Sequence, residues 1–167
     1  IGHRASLLLE QLPEDARIVA LAECNLPRAE AFQQKKQAPW PIYQDYRKMI
    51  ERNDVDAVVV ATQAFQRVLP SIHACQAGKD VYAEKPLTLY VQEGRVLVDA
   101  VRKYERVFQV GTQQRSMEMN RLACEFVRTG GLGAIKEVRA VNYTGPSPLP
   151  KEPFPEEPVP EGFDWDM

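Results

Sequence analysis

The sequence predicts an α/β protein built on a doubly wound parallel sheet. Short apolar runs that suit buried strands alternate with amphipathic helical segments along residues 17–110. The run Asp56–Thr62 is apolar from its second to its sixth residue, as expected for a strand that is covered on both faces. Each connection between successive strands is long enough to hold a helix, which parallel strands require. These observations favour a parallel sheet with helices on both sides.

The first third of the chain supplies three predicted helices and three predicted strands. Apolar periodicity predicts a helix that ends before Pro13, and two further helices that open at Pro27 and Asp45. Proline suits the first turn of a helix, and aspartate caps a helix N-terminus. The strands are predicted at Arg17–Ala22, Pro41–Tyr43 and Asp56–Thr62.

The same alternation continues to residue 110. Gly78 stands where the end of a helix needs a left-handed residue, and Gly130 closes a later helix in the same way. Seven of the fifteen residues 146–160 are proline, which predicts an extended segment. The predicted helix faces are Val68, Leu69, Ile72 and Cys75; Val91, Gly94, Val98 and Val101; and Met119, Leu122, Ala123, Phe126 and Val127, and the predicted strands are Asp80–Ala83, Val107–Val110 and Ile135–Tyr143.

Composition excludes several classes of protein. The 21 Lys and Arg residues nearly balance the 23 Asp and Glu residues, so the net charge of −2 argues against a nucleic-acid partner. No apolar run approaches the ~18–20 residues that a membrane-spanning helix needs. The three cysteines lie far apart without a C-x-x-C pair, which predicts reduced thiols and a cytoplasmic location. The two histidines lack metal-ligand spacing, so no metal site is predicted.

The sequence begins with Ile1, so we expect the chain to be processed or to be a fragment. Whether an export signal lies upstream of residue 1 is left open.

Ligands of a doubly wound sheet bind beyond the carboxyl ends of the strands. Glu23 follows a predicted strand and lies 21 residues after Gly2. A carboxylate about 20 residues after a glycine-rich turn accepts the hydroxyls of an adenosine ribose and repels a 2′-phosphate, which favours NAD over NADP. Only one glycine of a G-x-G-x-x-G turn is present, so a solvated strand end is the alternative for Glu23.

Lys85 is the candidate for chemistry. It follows the predicted strand Asp80–Ala83 and precedes Pro86, which stiffens the loop. A lysine at this place could hold a substrate hydroxyl and lower the cost of forming an alkoxide during hydride transfer. The alternative is an exposed charged turn.

Three stretches of the chain carry a family resemblance. Val55–Thr62, Ala74–Leu87 and Val107–Arg115 resemble the Gfo/Idh/MocA oxidoreductases, which include glucose–fructose oxidoreductase and inositol 2-dehydrogenase. The string A-G-K-D-V-Y-A-E-K-P is the most specific part of the match. Gly130–Val138 looks like the entry to the second domain of that family, and Glu157–Asp166 looks like a segment common in its bacterial members.

The resemblance implies two domains. Residues 1–112 would be a Rossmann domain that lacks its first strand, and residues 113–167 would begin an α/β domain with a mostly antiparallel sheet. Lys85 would be catalytic, and Glu84 would line the nicotinamide pocket with it. Arg67 stands where the family commonly has a histidine, and the peptide before Pro86 looks like one often held cis. The implied cofactor-binding residues are Gly2, Glu23, Thr62, Gln63, Arg67, Glu84, Lys85, Pro86, Gln114 and Arg115.

The implied activity is NAD-dependent hydride transfer between nicotinamide and a hydroxyl carbon of a sugar or cyclitol. The partners expected are a small sugar or polyol substrate and further copies of the chain, held through the second domain. Gly2 resembles the last glycine of the phosphate turn, and the Asp/His pair of the family would lie beyond Met167, so we expect residues 1–167 alone to be inactive. The alternatives are an NAD-dependent glycoside hydrolase on the same scaffold and a non-catalytic dinucleotide or sugar sensor, which Arg67 favours.

Overall fold

The computed structural model describes residues 2–141, 145 and 154–166 and divides into two compact units. The first unit comprises the described residues of Ile1–Gly111 and Val159–Met167, and the second those of Thr112–Pro158. The first unit alternates strands and helices, which confirms the predicted α/β class. Its helices are α1 (His3–Leu9), α2 (Leu26–Lys36), α3 (Tyr46–Ile50), α4 (Val68–Gln76) and α5 (Val91–Lys103), and its strands are β1 (Leu21–Ala22), β2 (Ile42–Tyr43), β3 (Ala57–Val60), β4 (Asp80–Glu84) and β5 (Phe108–Gly111).

All strand pairs of the first unit are parallel, and they form two sheets. In the first sheet β1 pairs with β2, with Leu21 opposite Ile42. The second sheet has the order β3-β4-β5, with Val60 opposite Ala83 and Glu84 opposite Gly111. Within the described residues no ladder joins β1 to β3. Parallel sheets that alternate with helices confirm the predicted Rossmann-type arrangement.

The predicted strand Arg17–Ala22 is shorter in the structure. Only Leu21 and Ala22 form a ladder, because β2 offers the two partners Ile42 and Tyr43 and no other described strand lies alongside β1. An extended apolar segment becomes a strand only where a neighbour accepts its hydrogen bonds. The length of a strand therefore depends on its partners as well as on its own residues.

The helix starts follow the prediction. Pro27 lies in the first turn of α2, and the Asn25 side chain accepts a hydrogen bond from the backbone N–H of Arg28. Asp45 caps α3 by accepting from the backbone N–H of Arg47 at 2.8 Å. Gly78 follows α4 with a φ of +77°, the left-handed conformation that its position after the helix requires.

The predicted buried faces of α4 and α5 are partly wrong. Leu69 is 58% exposed and Val91 is 81% exposed, whereas Ala74 and Leu97 are buried. Because α4 packs against both α5 and β4, small residues are needed where the backbones approach. The buried residues are Ser71, Ala74 and Cys75 on α4 and Leu97 and Ala100 on α5.

The core of the first unit lies on the sheet β3-β4-β5 and against α3 and α4. Alternate residues of β3, Val58 and Val60, are buried, and so are Val81 and Ala83 of β4. No helix in the described ranges is long and apolar enough to span a bilayer. The buried cluster consists of Met49, Ile50, Val55, Val58, Val60, Ala74, Cys75, Val81 and Ala83.

The second unit contains a short 3-10 turn, Gln113–Ser116, and the helix α6, Glu118–Arg128, which confirms the predicted helix. Gly130 follows α6 with a φ of +85°. The prediction of a strand at Ile135–Tyr143 is wrong for residues 135–141, since no partner strand lies in the described part of this unit. Residues 142 and 143 lie outside the described residues, as do residues 146–153 of the proline-rich segment, whose described part has no regular structure.

The last described residues return to the first unit. Phe163 forms an isolated antiparallel bridge with Asn25, and the backbone N–H of Leu26 donates to the carbonyl of Gly162 at 3.1 Å. Gly162 has a φ of +76°, and a Cβ there would lie 2.8 Å from Cδ of Pro27. This segment therefore packs against the loop that follows β1, and it requires glycine at the point of contact.

Candidate functional site

The Glu84 carboxylate is the buried charged group at the carboxyl end of β4. The residue is 1% exposed. Nε of Arg4, in the first turn of α1, donates to Oε1 of Glu84 at 2.7 Å, and the backbone N–H of Lys85 donates to Oε2 at 3.1 Å. Since a buried carboxylate is costly without such donors, these contacts hold the start of α1 against the end of β4.

Gly111 provides the space that Glu84 occupies. It lies opposite Glu84 in the ladder between β4 and β5. A Cβ on Gly111 would stand 2.8 Å from Oε1 of Glu84 and 2.9 Å from the hydroxyl of Tyr82. Glycine inside a strand often marks such a close approach, and here it allows the carboxylate to pack against β5.

Arg67 joins the loop after β3 to the loop after β4. Nε and Nη2 of its guanidinium donate to the carbonyl of Thr62 at 3.1 and 2.8 Å, and Nη1 donates to the carbonyl of Pro86. The residue is 8% exposed. Burial lowers the pKa of the Arg67 guanidinium, while the nearby Glu84 carboxylate opposes that shift.

Lys85 lies beside this buried cluster and is exposed. Its peptide bond to Pro86 is cis, as the resemblance implies. Among the contacts of the described residues, no hydrogen bond or ion pair engages its ammonium group. Lys85 therefore presents a cation at the carboxyl end of β4, where a ligand of this fold class would lie.

Glu23 lies at the carboxyl end of β1 and is half-buried. Its Oε1 accepts a hydrogen bond from the backbone N–H of Asn25 at 3.2 Å and a weaker one from the thiol of Cys24 at 3.5 Å. Burial and the negative charge of Glu23 raise the pKa of the Cys24 thiol. The turn after β1 thus orients the carboxylate at the place where the sequence predicts ribose recognition.

Gly2 is the N-cap of α1, two residues before Arg4. The predicted loop residues Thr62 and Gln63 are exposed. The site of the first unit therefore brings together Gly2, Thr62, Arg67, Glu84, Lys85 and Pro86 through α1 and the loops after β3 and β4.

Gln114 and Arg115 belong to the second unit. Both lie in the 3-10 turn before α6, and Nδ2 of Asn120 donates to Oε1 of Gln114 at 2.7 Å. Their predicted place beside a cofactor stays a prediction. In the described ranges, no three His, Cys, Asp or Glu side chains lie close enough to hold a metal ion.

The sequence did not predict Arg4 and Gly111 as site residues. A glycine within the apolar strand Phe108–Gly111 was a signal of close approach. Arg4 stands in the first turn of a helix that Gly2 opens, but its partner Glu84 is 80 residues away. No local pattern reveals a contact at that separation.

Comparison with known proteins adds a family match. A family model described as an oxidoreductase family with an NAD-binding Rossmann fold matches residues 1–112. The inositol 2-dehydrogenase of Klebsiella pneumoniae is 30% identical over 125 residues, which cover 74% of this chain and 37% of the relative. The trans-1,2-dihydrobenzene-1,2-diol dehydrogenase of Danio rerio is 29% identical over 145 residues, which cover 84% of this chain and 42% of the relative.

Solved structures share the fold. The scyllo-inositol dehydrogenase of Lactobacillus casei, with bound NAD(H) and scyllo-inositol, superimposes with a TM-score of 0.72 at 20% identity. The match covers 80% of this chain and 40% of that protein. The chain thus spans less than half the length of the relatives that it matches.

We predict that Gly111→Ala destabilises the protein. The added methyl group would press on Glu84 and Tyr82, and overpacking of this kind costs about 1–3 kcal/mol. Gly94→Ala is the matched control, because its Cβ would meet only Cγ2 of Thr88 at 3.7 Å and alanine favours a helix by about 0.5–1 kcal/mol. Urea unfolding measures both variants. Equal stability of Gly111→Ala and the unaltered protein would contradict the close approach of Glu84.

Proposed function

The chain belongs to the Gfo/Idh/MocA oxidoreductase family, with its NAD-binding Rossmann fold, and on that premise we propose that the whole protein is an NAD-dependent dehydrogenase of a sugar or cyclitol hydroxyl. The observation that carries this proposal is the exposed side chain of Lys85 on the residue that directly follows Glu84, whose buried carboxylate accepts the backbone N–H of Lys85. The names of the inositol 2-dehydrogenase and the dihydrodiol dehydrogenase support the substrate class, since both describe oxidation of a hydroxyl on a six-membered ring.

The residues of the first unit fit an NAD molecule. Glu23 offers a carboxylate for the two hydroxyls of the adenosine ribose, and Lys85 offers a cation at the end of another strand. The N-terminus of α1 at Gly2 lies on the side of Glu84, through the contact of Arg4. We infer that NAD would bind at the carboxyl ends of the strands, where Glu23 would hold the adenosine ribose and Lys85 would serve the nicotinamide end.

NAD, when bound, supplies the acceptor for a hydride from the carbinol carbon. In our proposal the ammonium of Lys85 donates a hydrogen bond to the oxygen of the substrate hydroxyl. As the C–H bond breaks and the hydroxyl proton passes to a water molecule, negative charge develops on that oxygen before the carbonyl is complete. A fixed cation beside the oxygen lowers the free energy of that charge. Glu84 contributes by accepting the backbone N–H of Lys85, which holds the residue in place.

Two alternatives differ in their support. The dehydrogenases named above give no support to a glycoside hydrolase. The alternative of a non-catalytic sensor rests on the sequence alone, since Arg67 stands where the family resemblance implies a histidine. If the whole protein bound NAD but formed no NADH from any sugar or cyclitol, the result would favour the sensor over the dehydrogenase. Assembly through the second unit and a cytoplasmic location stay predictions.

We predict that Glu23 makes the protein prefer NAD. Its carboxylate would repel the 2′-phosphate of NADP, so Glu23→Ser should narrow the preference and Glu23→Arg should invert it. The exposed Glu30 on α2 provides the control, and Glu30→Ser should leave the ratio unchanged. Calorimetric dissociation constants for the two cofactors measure the effect. An unaltered protein that binds NADP as tightly as NAD would show that Glu23 does not select the cofactor.

We predict that Lys85→Ala lowers kcat of the whole protein by about 10²–10⁴-fold, since the developing alkoxide loses its cation. The dissociation constant for NAD should change by less than about threefold, which is under 1 kcal/mol. Lys35→Ala, at an exposed position on α2, should change neither quantity. NADH formation and calorimetry provide the two measurements.

The reverse pattern would refute the chemical role of Lys85. If kcat falls by less than about tenfold, a loss of only 1.4 kcal/mol, while NAD affinity collapses, then Lys85 serves binding alone.

A further inference from the structure

We propose that Arg67 is the positioning residue of this site, which ties the loop after β3 to the loop that carries Lys85 and thereby sets the place of the Lys85 ammonium. This inference rests on the proposed function, because it assigns Arg67 a part in the same reaction. In this role Arg67 makes no contact with the substrate. Its effect passes through the backbone of the Lys85–Pro86 loop.

The hydrogen bonds of Arg67 are the first support. Its guanidinium donates two bonds to the carbonyl of Thr62 and one to the carbonyl of Pro86. Thr62 lies two residues after the end of β3, and Pro86 follows Lys85 directly. One side chain therefore fixes the distance between two loops that have no strand ladder at this point.

Burial is the second support. The Arg67 residue is 8% exposed, and the desolvation of its charge must be offset by fixed acceptors. The two backbone carbonyls and the nearby Glu84 carboxylate supply that compensation. A side chain held this way has little freedom, so the loops it joins are held with it. This distinguishes Arg67 from Lys85, whose ammonium is exposed.

The shape of the guanidinium is the third support. Its planar fork presents donors in several directions, so that it reaches the carbonyls of Thr62 and Pro86 together. Lysine has a single ammonium at the end of a flexible chain and would reach one carbonyl well. The substitution Arg67→Lys therefore keeps the charge and removes part of the clamp.

The charges around the clamp fit a positioning role. Arg4 of α1 forms an ion pair with the Glu84 carboxylate, and Arg67 at the start of α4 interacts electrostatically with the same carboxylate. The Glu84 carboxylate is thus compensated by these arginines and by the backbone N–H of Lys85, and it does not engage the Lys85 ammonium. The Lys85 ammonium stays available for a substrate oxygen, and the clamp keeps its backbone where that oxygen would bind.

The test compares Arg67→Ala and Arg67→Lys with the unaltered whole protein. Calorimetry gives the dissociation constant for NAD, and NADH formation gives kcat on the substrate that the unaltered protein oxidises. Amide exchange without NAD reports the mobility of Lys85 and Leu87, and thermal unfolding reports stability. Arg52→Ala is the control, since Arg52 donates hydrogen bonds to the side chains of Asp54 and Tyr43 and contacts neither loop of the site.

For Arg67→Ala we expect kcat to fall on the order of 10–100-fold, because misplacement of a catalytic group by about 1 Å has effects of that size. The NAD dissociation constant should change by less than about threefold, and amide exchange at Lys85 and Leu87 should quicken. Arg67→Lys should restore part of kcat, and Arg52→Ala should change none of these readouts. If Arg67→Ala fails to fold, the kcat and amide exchange of Arg67→Lys decide the question.

Two results would overturn the proposal. An unchanged kcat in a folded variant would make the clamp merely structural, and a parallel loss of NAD affinity and kcat would make Arg67 a direct ligand of the cofactor. Failure of the proposed function is distinguishable, since the unaltered protein would then bind no NAD or form no NADH, whatever Arg67 does.

Discussion

The burial of one carboxylate constrains the whole site. Glu84 lies at the end of a core strand with 1% of its surface exposed, where an uncompensated charge would cost several kcal/mol. Arg4 and the backbone N–H of Lys85 supply the compensation, and Gly111 supplies the room. Because each of these donors belongs to a different part of the fold, the position of Glu84 fixes the start of α1 and the loop after β4 together.

The other groups of the site follow from this arrangement. Arg67 closes the same region from the loop after β3, and Lys85 is left exposed at its edge. Glu23 stands at the end of β1 with its carboxylate held by the next turn. We propose that the Glu23 carboxylate and the Lys85 ammonium form an anionic end and a cationic end of one site, at the carboxyl ends of parallel strands. This polarity suits a dinucleotide whose ribose hydroxyls need an acceptor and whose reacting end needs a cation.

The fold class and the loop Glu84–Pro86 were predictable, because buried parallel strands are continuous apolar runs and their carboxyl ends are marked by polar residues. The buried sides of α4 and α5 were not predictable. Helical periodicity alone does not say which of two adjacent stripes of residues packs against a close neighbour. Leu69 was expected to be buried but is exposed, whereas Ala74 is buried. A small residue is needed there because the backbones approach closely. The contact of Arg4 with Glu84 spans 80 residues, and only the folded chain brings such groups together.

We propose that Glu23 would hold the adenosine ribose of NAD and that Lys85 would lie at its nicotinamide end. A crystal structure of the whole protein with NAD tests it most directly. We expect the adenosine ribose hydroxyls within hydrogen-bond distance of the Glu23 carboxylate, about 2.5–3.0 Å, and the nicotinamide beside Lys85. A cofactor bound in the opposite direction, or away from Glu84 and its two neighbouring arginines, would contradict the account.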